Sequence, residues 1–203
     1  EISMKGATVS PSKYDILFTG DWKDVTVDGY LEELTRLFYN SYPRLYQRWG
    51  NGTEPTTITF KADNNYDGVA YCQGTTVCVS TAYANSHPTD IGFFSHEITH
   101  SVQQYSGKLN YGDDVAWWTE NMANYGGFRY FHWSNPKYVQ IYEATDTSLQ
   151  DWGYQQYRNN KWFFAYMDSK YPTRKNADGT LKLGLIDSIN KLIKDNNTGS
   201  TYT

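Results

Sequence analysis

The pattern of hydrophobic and polar positions along the chain changes near residue 90. Before that point, short apolar runs predict strands at 14–18 and 57–60 and a hairpin within 68–80. A longer stretch that begins near Asp28 has apolar residues spaced by one, three and four, which is typical of a helix. We expect Pro43 to break or kink this helix, because proline lacks the N–H that a helix interior needs.

Helical spacing dominates the rest of the chain. Strands followed by helices predict an α+β fold, with a mixed sheet and one helix in the first half. The length suits a single domain over 1–203, with a β-rich lobe at about 1–89 and a helical lobe at about 90–203. The predicted helices of the second lobe span 90–105, 113–131, 137–143, 157–170 and 183–194.

Composition excludes several classes of protein. Hydrophobic residues make up 39% and charged residues 20%, which is the profile of a folded domain. The net charge is −4 and the 18 basic residues are scattered, so we expect no nucleic-acid partner. No apolar run is long enough to predict a transmembrane segment. Aromatic residues reach 17%, which fits either a tyrosine-rich core or an aromatic cleft for peptide or sugar, and composition alone favours the core.

Two cysteines, Cys72 and Cys78, flank the turn-prone Gly74. A hairpin centred on Thr75 would bring their Cβ atoms together, so we expect a disulfide, with two buried free thiols as the alternative. A disulfide implies an oxidising compartment. Together with a chain that starts at Glu1 and shows no signal-peptide pattern, this predicts a secreted, periplasmic or cell-surface protein.

The segment His96-Glu97-Ile98-Thr99-His100 is an HExxH motif inside the predicted helix 90–105. At helical spacing His96 and His100 lie one turn apart, so their imidazoles can reach one metal ion. Glu97 is offset from them and is placed to act on a water rather than on the metal. The opposite side of the helix carries a core stripe of Ile91, Phe94, Ile98 and Val102.

A catalytic zinc needs a third protein ligand. A glycine at 103 and a histidine at 106 would extend the motif to HExxHxxGxxH, in which the last histidine is the third ligand. The chain has Gln103 and Ser106 instead. His87 and His132, the other two histidines, are not at a known spacing for a third ligand either. Glu120 follows His100 by twenty residues on the next predicted helix, and a helical hairpin of that length brings it back beside the histidines.

Three other residues of that helix share the face of Glu120. Ala116 and Gly127 are small and permit a close approach of the two helices. Asn124 lies one turn beyond Glu120 and could bond the free nitrogen of a ligating histidine. The alternative for Asn124 is an ordinary surface amide.

Several stretches together resemble the basic secretory protein family of plants and bacteria, which is grouped with secreted zinc peptidases of the gluzincin type. They read DGVAY at 67–71, FSHEITHSVQ at 94–103 and WTENMANY at 118–125, with a later Gly-Tyr at 153–154. The similarity covers roughly 14–170. The chain departs from the family pattern at Asn121, where the family has glycine, and at Asn124, where it has aspartate.

The motifs and the resemblance predict a zincin-like fold and a zinc-dependent peptidase with peptide or protein substrates. His96, His100 and Glu120 are the expected Zn²⁺ ligands and Glu97 the general base. The resemblance at the Gly-Tyr pair makes Tyr154 the expected oxyanion donor, with His132 and Tyr157 as rivals.

The strand at 76–80 could pair with an extended substrate, and we expect a monomer. Two other functions stay open at this point. One is an inactive zincin scaffold that binds glycan or peptide in an aromatic cleft. The other is a structural zinc protein, which would need a fourth protein ligand that the sequence does not offer.

Overall fold

The computed structural model describes residues 13–109, 113–132 and 160–196. The predicted helix at 137–143 and the candidate residues Tyr154 and Tyr157 lie outside these ranges. Within them, a mixed sheet precedes most of the helices, so the chain has the predicted α+β fold.

A four-stranded mixed sheet forms the first half of the described chain. Its order is β1-β2-β4-β3, in which β1, β2 and β4 run parallel and β3 is antiparallel at one edge. Along β2 the side chains alternate between buried and partly accessible, as expected of a strand with one face on the core. The strands are β1 (Asp15–Gly20), β2 (Thr57–Asp63), β3 (Ala70–Gln73) and β4 (Thr76–Ser80).

Helix α1 (Tyr30–Trp49) provides the crossover between the parallel strands β1 and β2. Of the two expected effects of Pro43, a break or a kink, the break does not occur, because the helix continues through the proline to Trp49. Tyr42 and Leu45, on either side of the proline, are fully buried, and so is Trp49 at the end. Burial of this apolar face stabilises the last turns enough to offset the backbone hydrogen bond that the proline cannot donate.

The remaining helices pack on one another and against the sheet. Helix α2 is short and was not predicted; the Ser80 side chain caps it by accepting a hydrogen bond from the Tyr83 backbone N–H. A small hairpin separates the last two helices. The elements are α2 (Thr81–Ser86), α3 (Gly92–Gln103), α4 (Asp113–Gly127) with a π-helical turn (Phe128–His132), α5 (Asn160–Lys170), β5 (Arg174–Lys175), β6 (Leu181–Lys182) and α6 (Leu185–Lys194).

Helices α1 and α3 and the sheet share one aromatic core. Phe60 of β2 stacks on Phe94 of α3 at 4.7 Å between ring centroids, and Phe38 of α1 meets Phe60 edge-on at 6.2 Å. All three rings are fully buried. This packing fixes α3 against the sheet, which matters because α3 carries the HExxH motif. None of the described helices is both long and apolar enough to cross a membrane.

The predicted Cys72–Cys78 disulfide is wrong, because both cysteines are free. The hairpin forms as expected, but its register pairs Cys72 with Val77 and Tyr71 with Cys78. The turn is therefore centred between Gly74 and Thr75 rather than on Thr75. Because of this shift of half a residue, Cys78 is the neighbour of the residue paired with Cys72. The two cysteine side chains therefore point to opposite faces of the sheet.

A buried ion pair ties α6 to the end of α3. Lys194 donates to the carboxylate of Glu54 and to the backbone carbonyl of Val102, and the two charged side chains are only 3% and 0% exposed. Glu54 also accepts hydrogen bonds from the backbone N–H groups of Asn51 and Gly52. Burial alone would raise the pKa of Glu54, but these donors lower it by more, so the carboxylate stays charged.

Replacing Lys194 with methionine is expected to lower the free energy of unfolding by about 3–5 kcal/mol, because the buried charge of Glu54 loses its partner. Lys191→Met is the matched control on the same helix. Its ion pair with Asp195 is exposed, so we expect a loss below about 1 kcal/mol. Urea unfolding of both variants measures the difference, and equal losses would contradict it.

Candidate metal centre

Helix α3 presents the HExxH motif as its spacing predicts. Phe94, Ile98 and Val102 are fully buried on the core side of the helix. His96 and His100 lie on the other side, with side chains 17% and 19% exposed. The helix therefore holds both imidazoles at an accessible surface while its apolar stripe anchors it to the core.

Helix α4 brings Glu120 to the two histidines. Its Oε2 lies 3.0 Å from His96 Nε2 and 3.4 Å from His100 Nε2, and the two Nε2 atoms are 3.0 Å apart. These three residues could hold a metal ion, since one ligand atom from each lies within 4.8 Å of the others. The predicted ligand set is thus brought together.

The spacing of the three atoms fits a small tetrahedral cation. Ligand atoms about 2.0–2.1 Å from a tetrahedral zinc lie about 3.3 Å from one another. The three separations here are 3.0, 3.0 and 3.4 Å. Small adjustments of the side chains would accommodate the ion.

Two amide groups fix which nitrogen of each histidine faces the site. Asn124 Oδ1 lies 2.7 Å from His96 Nδ1, as the sequence predicts, and Gln103 Oε1 lies 2.7 Å from His100 Nδ1. The Gln103 amide can have only this orientation, because its nitrogen donates to the Thr119 carbonyl at 2.9 Å. An amide oxygen only accepts, so an N–H at each Nδ1 is directed to its amide, and each Nε2 faces the site, where it can present a lone pair to a metal ion. Two such lone pairs 3.0 Å apart repel unless a cation or a proton lies between them.

Gln103 ends the stretch 94–103 that carries the resemblance, but sequence reasoning assigned it no role at the site. It lies on α3, three residues after His100, so it shares the face of its partner. Its bond to Thr119, the residue before Glu120, links the two ligand-bearing helices next to the site. Its position three residues after His100 is the sequence feature from which this contact could have been predicted.

Close packing of α3 and α4 makes the ligand geometry possible. A Cβ on Gly127 would lie 2.6 Å from Ser95 Oγ, and one on Gly126 would lie 2.7 Å from Thr99 Oγ1. Both contacts are too short for any other residue without a shift. The role predicted for Gly127 is therefore confirmed, and Gly126 adds a second close contact.

Electrostatics keep Glu120 ionised. Burial favours its neutral form, but hydrogen bonds from His100 and His96 lower its pKa by more, to well below the usual range. Burial also lowers the pKa of His100, yet the hydrogen bond and charge of Glu120 raise it by more, so the net shift is upward. The contact between Glu120 and His100 Nε2 therefore favours a proton on that nitrogen when no cation is bound.

Retention of a metal ion at this group is expected to fall as the pH is lowered, because a proton competes with the metal for His100 Nε2. The raised pKa of His100 places the start of this competition above the ordinary histidine value of 6.5. Equilibrium dialysis against zinc over a range of pH measures the effect. Zinc occupancy that is unchanged through this range would show that the histidines are not ligands.

The three residues open on a cleft of about 830 Å³. Glu97 lines the same cleft and is 9% exposed, but it does not belong to the set of converging ligand atoms. A carboxylate in that position can act on a molecule bound at the metal without occupying the metal itself. Among the described lining residues, Tyr71 and Tyr105 are the only Tyr, Trp or Phe, so these residues give the cleft little aromatic character.

The edge strand β3 forms one wall of the cleft. The prediction that the 76–80 strand receives a substrate is wrong, because β4 is paired on both sides. In the β3–β4 ladder, Ser80 N–H donates to the carbonyl of Val69 directly opposite, at 3.1 Å. In an antiparallel pair, every second residue directs its backbone N–H and C=O away from the partner strand. The residues of β3 that do so are Ala70 and Cys72, and both line the cleft.

Of the other sequence candidates, only His87 has a described side chain, and it is not brought to the site. His87 lies on the surface, stacked on Tyr83 at 4.3 Å between centroids and bonded to Ser86. Tyr154 and Tyr157 lie outside the described residues, and the side chain of His132 is not described. The predicted oxyanion donor therefore stays a prediction.

Comparison with known proteins does not extend these observations. No protein-family model matches the chain, and no curated protein matches it.

Proposed function

We propose that the protein is a zinc-dependent peptidase of the gluzincin type, with Zn²⁺ held by His96, His100 and Glu120. The observation that carries the proposal is the position of Glu97. It lies in the cleft beside the three converging ligand atoms and is not one of them. A metal site that only stabilises the fold has no use for such a carboxylate, and it normally has four protein ligands.

In this proposal, the chain divides the chemistry between Glu97 and the metal ligands. When bound, zinc would supply the Lewis acidity that activates a water and polarises the scissile carbonyl. Glu97 accepts the proton of the attacking water and delivers it to the leaving amine. Gln103 and Asn124 keep both imidazoles turned with Nε2 toward the site, so the ligands need no rearrangement.

The position of β3 at the edge of the sheet, with no further strand beside it among the described residues, favours a peptide as the substrate. The outward Ala70 N–H and the N–H and C=O of Cys72 can pair with an extended backbone, which β-strand addition would align along the cleft wall. The Ala70 carbonyl already accepts a hydrogen bond from Tyr66 Oη at 3.3 Å, which a substrate N–H would have to replace. This mode recognises the main chain more than the side chains. We therefore propose cleavage of unfolded or extended segments.

The family and the location are proposed on the resemblance. Membership of the basic secretory protein family would place the protein outside the cytoplasm and assign Tyr154 as the oxyanion donor. Because the two cysteines are unpaired, the proposed location no longer has support from a disulfide. We propose that the protein acts as a monomer.

Cleavage of an unstructured protein tests the proposed function. The zinc-loaded chain should generate new N-termini in the substrate, a chelator should abolish them, and added zinc should restore them. The chelator-treated chain is the control for contaminating peptidases. Cleavage that persists in the chelator, or no cleavage at full zinc occupancy, would contradict the proposal, and the second result would favour an inactive scaffold.

A further inference from the structure

A groove of about 630 Å³ lies between the end of α5 and the start of α6. It is distinct from the metal cleft, since the two share no lining residue. Charged and apolar side chains alternate around it. The side chains that matter for binding are those of Lys170, Arg174 and Lys182, which are basic, and of Tyr171, Leu183 and Leu185, which are apolar or aromatic.

The charged side chains of the groove all have the same sign. Lys170, Arg174 and Lys182 are exposed, and no carboxylate of the described residues lies within ion-pair distance of them. The whole chain, by contrast, has a net charge of −4. The groove is therefore a local basic site on an acidic protein, and it attracts anionic groups.

The groove also exposes apolar surface. Tyr171 is 60% exposed, and Leu183 and Leu185 are each 38% exposed. Exposed apolar side chains that cluster in a concavity bordered by charges are typical of binding sites.

The backbone beneath these side chains is held in place. Leu185 N–H donates to the Tyr171 carbonyl at 3.0 Å, and Gly184 N–H donates to Thr173 Oγ1 at 2.8 Å. Thr173 donates in turn to Asp187, which pairs with Arg48 of α1 at 2.8 Å. The groove is thus preformed on the core of the domain, and binding requires little ordering.

We propose that this groove binds an acidic peptide segment that carries an apolar side chain. Carboxylates would pair with the three cations, and the apolar side chain would lie against Tyr171, Leu183 and Leu185. A concave site accepts a linear segment, whereas the flat surface of a bilayer cannot enter it. The proposal goes beyond the proposed peptidase function and does not depend on it, because it concerns binding away from the metal cleft.

Fluorescence anisotropy with a short labelled peptide, in which glutamates flank a leucine, tests the proposal. The protein is the full chain with Glu97→Gln, so that the probe is not consumed. Arg174→Glu and Lys182→Glu should each weaken binding by about tenfold or more, because each turns an attraction into a repulsion. Leu185→Ser should weaken it by about fivefold or more, because it removes apolar contact.

Two matched controls lie beside the groove without lining it. Lys175 is exposed and neighbours Arg174 in β5, where alternation turns it to the other face, so Lys175→Glu should change the affinity by less than about threefold. Leu181 is 63% exposed and Leu181→Ser should leave the affinity unchanged. Thermal unfolding of each variant confirms that the fold is retained, as expected for exposed positions.

Three results would overturn the proposal. The first is no binding of the acidic peptide, or equal binding of a peptide with lysines in place of the glutamates. The second is an equal effect of Lys175→Glu and Arg174→Glu, which would indicate only a diffuse attraction. The third is Arg174-dependent binding of phosphatidylserine vesicles or of a sulfated polysaccharide with no binding of the peptide.

Discussion

Glu97→Gln is expected to lower zinc-dependent peptide cleavage by about 10²–10⁴-fold while the protein keeps its zinc. Glutamine preserves the size and the hydrogen-bonding reach of the side chain but removes its basicity. Because Glu97 is not among the converging ligand atoms, the metal should stay bound. Cleavage rates and zinc content, measured on the same preparation, give both halves of the result.

The parent protein and the variant must have the same unfolding temperature for this comparison to report chemistry. Cleavage at the parental rate by Glu97→Gln would show that the proteolysis comes from a contaminant or from another site. Loss of zinc together with activity would show instead that Glu97 is a ligand, and the proposed division of roles would be wrong.

His100→Ala is expected to remove metal binding and activity together, because only two of the three ligands remain. We expect zinc affinity to fall by well over about 100-fold, since even the loss of a group that orients a ligand costs about 10–100-fold. In the presence of zinc, the variant should also be less stable than the parent protein, because it loses the metal that links α3 to α4.

Two further variants should lower the zinc affinity less than His100→Ala does. Gln103→Leu leaves all three ligands but removes the amide that orients His100, so its zinc affinity should fall by about 10–100-fold. His87→Ala removes a surface histidine that does not belong to the ligand set and should bind zinc like the parent. A His100→Ala protein that binds zinc as tightly as His87→Ala would exclude the proposed centre. Isothermal titration with zinc measures all three.

The ligand set could be predicted because it depends on local periodicity. Two histidines four residues apart, opposite a stripe that includes Ile98, have one arrangement on a helix, and the core stripe sets which side faces outward. Glu120 and Asn124 follow for the same reason, since they lie one turn apart on the next helix. The small residue at Gly127 then marks the side on which the two helices meet.

The features that sequence reasoning missed depend on register and on tertiary packing. The disulfide prediction failed because a turn centred half a residue earlier moves Cys78 to the opposite face from Cys72. No local pattern reports that offset. The edge position of β3 depends likewise on strand order, which a sequence of short apolar runs does not encode.

Helix α1 shows how tertiary burial overrides a local preference. Pro43 is a strong local signal for a break, yet the helix continues to Trp49 because its apolar face is buried on both sides of the proline. Such burial is visible only once the partner elements are in place.

Titration of the metal-free protein with zinc, followed by the rate of peptide cleavage, tests the central claim most directly. We expect no cleavage without metal, a linear rise as zinc is added, and a sharp break at one zinc per chain. Each zinc bound at His96, His100 and Glu120 then creates one active site. Cleavage by the metal-free chain, or a protein that binds one zinc and cleaves nothing, would contradict the claim that this centre is a peptidase site.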